Sequence, residues 1–130
     1  YQDLVWIKTE LWTGRNLGDV RGGILQDINS AGGEVRSEGG FGEVGMQLPG
    51  ESLKPVKAYA GYSWDNPEND DLIASATNAP RTRNAIWYLA LRFDFKPVTF
   101  GIDYLHWVTG YQDFDDGTDN RVQAYVSYAF

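Results

Sequence analysis

The chain is 130 residues long, one domain's worth, with a net charge of −7 and no cysteine. This excludes a disulfide framework or a thiolate metal site, and it argues against nucleic-acid binding, which depends on a basic surface. Aromatic residues make up 15 % and glycine counts 15, yet the mean hydropathy is −0.42. No stretch approaches the ~18 consecutive apolar residues of a membrane-crossing helix. Strands with one apolar and one wet face fit that balance instead.

Six segments carry the period-two alternation of such strands. The first runs from Leu4 to Thr13, with Val5, Ile7, Thr9 and Leu11 on one face and Lys8, Glu10 and Trp12 on the other. The second, Gly40 to Leu48, sets Val44, Met46 and Leu48 against Glu43, Gly45 and Gln47. The third, Val56 to Trp64, sets Val56, Ala58, Ala60, Tyr62 and Trp64 against Lys57, Tyr59, Gly61 and Ser63. The fourth opposes Ala85, Trp87, Leu89, Leu91, Phe93 and Phe95 to Ile86, Tyr88, Ala90, Arg92 and Asp94. In the fifth, Val98, Phe100, Ile102 and Tyr104 alternate with Thr99, Gly101 and Asp103. The last sets Val122, Ala124, Val126, Tyr128 and Phe130 against Arg121, Gln123, Tyr125, Ser127 and Ala129. Each is about nine to eleven residues, the length a tilted strand needs to cross a bilayer.

The connections alternate in length. A Gly-, Asn- and Asp-rich stretch from Gly14 to Gly39 is followed by the short Pro49 to Pro55. Next come the long polar Asp65 to Arg83, the tight Lys96-Pro97 and the medium Gln112 to Asp119. Outer-membrane barrels connect strands in this way, with short turns on the periplasmic side and long loops at the cell surface. A symmetric hairpin at Lys96-Pro97 pairs Phe95 with Val98, Phe93 with Phe100, Leu91 with Ile102 and Leu89 with Tyr104, apolar on both sides throughout. Proline cannot take the positive φ of a type I′ turn, so a loop wider than two residues is expected there. On the outward face Phe93, Phe95, Phe100, Tyr128 and Phe130 collect at the lower end, and Tyr62, Trp64, Trp87 and Tyr104 at the upper end. Aliphatic residues lie between them, the sorting a bilayer imposes. The predicted fold is therefore all-β, a transmembrane antiparallel barrel. Its smallest closed form takes eight strands, so residues 1–130 read as a C-terminal segment of one larger barrel domain.

Three motifs lead elsewhere and are set aside. Gly40-Phe-Gly42-Glu-Val-Gly45 matches a nucleotide-loop spacing but opens a strand rather than a helix, so small residues allowing close packing or a bend explain it better. Asp113 to Asp119 lacks the Glu that a calcium loop needs eleven residues on, where Ala124 stands, and reads as a solvated turn with Gly117 supplying unusual φ. His106, the single histidine, points outward near the upper aromatics and has no nucleophile to serve. No catalytic set, cofactor or metal site is expected.

The closing Val122 to Phe130, with its terminal aromatic and alternating apolar residues, resembles the signal by which the barrel-assembly machinery recognises its clients. Phe130, Tyr128 and Val126 are the residues that carry it. More broadly, the chain resembles the DcaP-like outer-membrane porins. The matching stretches are Glu10-Leu-Trp-Thr-Gly-Arg-Asn-Leu17, Gly61-Tyr-Ser-Trp-Asp-Asn-Pro-Glu-Asn-Asp-Asp-Leu72 and Phe100-Gly-Ile-Asp-Tyr-Leu-His-Trp107. The resemblance implies a sixteen-stranded barrel, a homotrimer in the Gram-negative outer membrane, and uptake of small organic acids such as dicarboxylates. Its lumen would be lined by Lys8, Glu10, Glu43, Lys57, Tyr59, Arg92, Asp94, Asp103 and Arg121, which strand parity turns inward; Asp103 is the expected ion partner of Arg92. A soluble lipocalin-like binder, with the apolar faces turned inward, is the alternative reading.

Overall fold

The computed structural model describes residues 4–17, 26–75 and 79–130. Its six strands are β1 (Val5–Arg15), β2 (Arg36–Gln47), β3 (Val56–Pro67), β4 (Arg81–Phe95), β5 (Val98–Tyr111) and β6 (Phe114–Tyr128). They form one antiparallel sheet in sequence order, β1 to β6, every neighbour joined by a hairpin. Short 3-10 turns at Glu51–Leu53 and Asn69–Asp71 are the helical elements among the described residues. The sheet is not a closed barrel; β1 and β6 are its two edges.

The register keeps the two faces unmixed. One cross-strand row reads Val5, Met46, Ala58, Leu91, Ile102, Ala124, and the next reads Ile7, Val44, Ala60, Leu89, Tyr104, Val122. All four pairs expected across the β4–β5 hairpin are present. A slip of one residue at any of the five pairings would break these rows, which is how alternation fixes register.

At their upper ends the strands extend beyond the predicted limits, β1 to Arg15 and β2 from Arg36, so the first connection is shorter than Gly14 to Gly39. Strand β6 stops at Tyr128, short of the predicted Phe130, and three further connections change. Lys96-Pro97 is a two-residue loop with a cis peptide bond, not the wider loop expected; a proline in cis at the third position of a turn needs no positive φ. Gln112 to Asp119 is not a medium loop either. Only Gln112 and Asp113 turn the chain, Asp113 taking the left-handed φ of 62° that aspartate tolerates, and Asp115 to Asp119 belong to β6. Gly117 is thus a strand residue, without the positive φ the solvated-turn reading gave it. At the upper end β3 runs on to Pro67 and β4 begins at Arg81, so the third connection is shorter than Asp65 to Arg83. Residues 18–25 of the first connection and 76–78 of the third lie outside the described residues.

A core is nearly absent. Among the described residues the buried hydrophobic side chains are Val35, Val56, Leu72 and Ala85. The chain exposes 8838 Å², whereas a compact monomer of its mass would expose about 6,900 Å². Among the described residues no further element packs on either face of the sheet, which accounts for the excess.

Candidate functional site

The two faces differ in a sense opposite to that of a soluble protein. On the apolar face Leu11 is 75 % exposed and Ile7 70 %. On the polar face the side chains of Glu43 and Asp94 are only 17 % and 21 % exposed. Polar side chains crowd one another here while apolar ones stand free.

The crowding has two sources, the first being aromatic rings laid over glycines. Trp6 faces Gly45, Trp12 faces Gly39, Tyr88 faces Gly61 and Tyr125 faces Gly101, each pair directly cross-strand. At each of these glycines an added Cβ would collide with the ring opposite. Because glycine leaves that space open, the ring can lie flat along the sheet and seal the weakest point of the strand. Gly101→Ala should therefore destabilise the protein by about 1–3 kcal/mol through overpacking. Gly42→Ala, where the nearest atom lies 4.0 Å away on Thr9, should be close to neutral. Urea midpoints of the two variants check the difference.

The second source is a wall of paired charges. Lys8 approaches Glu43 at 3.5 Å, and Glu43 also accepts a 2.7 Å hydrogen bond from the Tyr88 hydroxyl, which reaches across Gly61 to it. Lower on the same face Asp94 accepts from Lys57 (2.9 Å), Arg92 (2.8 Å) and Thr99 (3.0 Å). Arg121 pairs with Asp119 at 2.9 Å. Tyr59 stands edge-on to Trp6, with centroids 5.6 Å apart, and Glu10 lies opposite Phe41. All nine residues predicted to line one face therefore share it. The expected pairing of Arg92 with Asp103 does not occur: Arg92 does face Gly101 with Asp103 diagonal to it, but its guanidinium turns to Asp94, and Asp103 accepts from Gln123 at 3.1 Å. Tyr88 is the wall residue that sequence reasoning passed over. The glycine opposite it in register was the available signal.

The apolar face carries its aromatics at two levels. Phe93 and Phe100 are cross-strand partners at the lower end, and Tyr128, opposite Val98, packs edge-on against Phe130 at 5.2 Å. Val126 lies opposite Phe100. At the upper end Tyr62 stacks on Trp64 at 6.0 Å, while Trp87 sits 5.2 Å from Tyr104 and 5.3 Å from His106. Asn120 accepts from the Tyr104 hydroxyl at 2.7 Å and lies 2.8 Å from His106 Nδ1. Between the levels the rows are aliphatic, with a shallow groove among Ala58, Leu89, Leu91 and Ile102.

Comparison with models of protein families, with curated proteins and with solved structures finds no match. The wall and the two aromatic levels are therefore what a functional reading has to stand on.

Above the upper level the connections are clasped together. Asp71 accepts from Arg36 Nε (2.7 Å), Nη2 (3.0 Å) and backbone N–H (3.0 Å). Asn29 donates to the Asp71 carbonyl at 3.0 Å, and Gln26 exchanges two hydrogen bonds with the Arg81 backbone. The guanidinium hydrogen bonds, followed by that from the Arg36 amide, hold the Asp71 carboxyl down at about 2. A depressed carboxylate pKa stabilises the folded state above the ordinary value of about 4, and the contribution disappears as pH falls through the depressed one. The clasp should thus be intact above about pH 4 and lost as pH falls through about 2. An NMR titration of the Asp71 carboxyl carbon should show its midpoint there, and Arg36→Gln should raise it only part of the way back, because the hydrogen bond from the backbone N–H of residue 36 remains.

Proposed function

We propose that this sheet is part of the wall of an outer-membrane β-barrel whose polar face lines a water-filled lumen, and that the protein passes small hydrophilic solutes by passive diffusion. The observation that carries the reading is the inverted exposure of the two faces. Apolar side chains that stand free and polar ones that shield each other fit a sheet curled around its polar face, with lipid outside. A lipocalin-like fold would require the reverse.

The aromatic levels support the same reading in number. From Phe95 to Trp87 the chain climbs eight residues, about 27 Å along the strand and about 21 Å in height at a tilt of ~40°, comparable to the ~25 Å apolar band of such barrels. The upper level also drifts across the sheet. In the β4 frame it centres near position 86 for Tyr62 and Trp64, at 87 for Trp87, and near 88 for Tyr104 and His106. Strands 4.8 Å apart and tilted by ~40° cross a flat membrane plane about one residue lower at each step. A belt set by lipid has to drift in this way.

On this reading the edges of β1 and β6 pair with further strands of the same barrel, because an open edge in lipid leaves backbone groups without partners. Val126, Tyr128 and Phe130 form the assembly signal. The DcaP-like resemblance adds a sixteen-stranded homotrimer and organic-acid substrates to the proposal. Purification of the complete protein tests it. The barrel needs detergent to stay monodisperse and conducts KCl in planar bilayers; a protein that is monodisperse in plain buffer is a soluble binder instead.

A further inference from the structure

We propose that a groove on the polar face, between β4 and β5, binds organic cations that carry an apolar body. The assignment rests on that face lining a lumen, and its sign is opposite to the organic acids implied by the family resemblance.

The groove measures about 340 Å³ and is walled by Ile86, Leu105, Trp107 and Tyr88, with Asp103 at one end. Its volume is within the range of small-ligand sites, about 300–1,000 Å³. Water-facing walls do not require a cluster of two aliphatic and two aromatic side chains. A solute whose body is apolar would shed water by lying against them.

The charge at the end of the groove sets the sign of that solute. Asp103 has no ion-pair partner among the described residues, and the side chain that donates to it is the neutral amide of Gln123. Every cation near enough in register is already engaged. Arg92 and Lys57 go to Asp94, Arg121 to Asp119, and Lys8 to Glu43. The Tyr88 hydroxyl is likewise committed to Glu43, whose charge Lys8 balances. A carboxylate with no counter-charge beside two aromatic side chains attracts an ammonium group twice over, through its charge and through the ring quadrupoles. The same carboxylate repels an organic anion.

The test compares benzylammonium with benzoate, two probes of like body and opposite charge, on the complete protein in planar bilayers. Benzylammonium should interrupt the KCl current at concentrations about tenfold below those benzoate requires, and Asp103→Asn should remove that preference. Asparagine still accepts the Gln123 hydrogen bond, and heat-modifiable mobility on a gel identifies the folded variant. Equal block by the two probes, or a preference that survives Asp103→Asn in folded protein, overturns the proposal. A protein that carries no KCl current counts against the channel reading alone. Quenching of tryptophan fluorescence by the two probes in detergent micelles then decides the groove by the same comparison.

Discussion

Arginine at position 91 should cost the folded protein about 2–4 kcal/mol in lipid, while arginine at position 90 should be far milder. Leu91 is 39 % exposed on the apolar face, in the middle of the aliphatic row between Ala58 and Ile102. If the apolar face meets lipid as proposed, a guanidinium there would have no water, no partner and no short path to either interface. Ala90 lies one residue along the same strand but on the other face, between Tyr59 and Asp103. An arginine there meets a carboxylate that lacks a cation. Folding titrations in vesicles, read as the difference between Leu91→Arg and Ala90→Arg, isolate the face from the position. Equal costs would mean that neither face meets lipid, and the barrel reading would fall with them.

This contrast was legible in the sequence, and the reason is physical. Where one face is apolar and the other polar, a period of two fixes strand, face and register together, as at Leu89 to Phe95 against Val98 to Tyr104. The strand ends were not legible, because polar residues occupy both faces there. Arg81-Thr-Arg-Asn84 and Asp115 to Asn120 have no alternation to read, so backbone pairing alone carries the strands onward. Gln112 to Asp119 read as a loop for that reason, and its acidic and glycine content reinforced the error.

The site divides in the same way. Membership of the polar face followed from parity for all nine predicted residues, but the choice of ion partner did not. Arg92 has Asp94 two residues along its own strand and Asp103 diagonally across, and the two differ in rotamer rather than in register. Arg92 takes the carboxylate on its own strand, which also accepts from Lys57 and Thr99. The ring-over-glycine pairs could have been found once register was known, since each is a direct cross-strand partner. Their signal is spread over two segments, and neither segment shows it alone.

If the polar face lines a channel as proposed, reversing Arg92 and Arg121 to Glu should shift its selectivity toward cations, and the shift should grow as salt is lowered. Both arginines are about half-exposed and paired on the polar face, Arg92 with Asp94 and Arg121 with Asp119. Each now cancels a carboxylate; each glutamate would stand beside one and leave both charges facing the lumen. The field of that excess reaches ~10 Å at 0.1 M salt and ~30 Å at 0.01 M, so the reversal potential in a tenfold KCl gradient should move most with the dilute side near 0.01 M. A cost in stability is also expected, because like charges two residues apart on one face repel. Lys57 should limit it at the Asp94 end, where it keeps one cation against the carboxylate. A double variant that folds, conducts and keeps the parent selectivity would assign both arginines to the scaffold. The lumen field would then have to come from Asp103 and the carboxylates around it, where the sign is already negative.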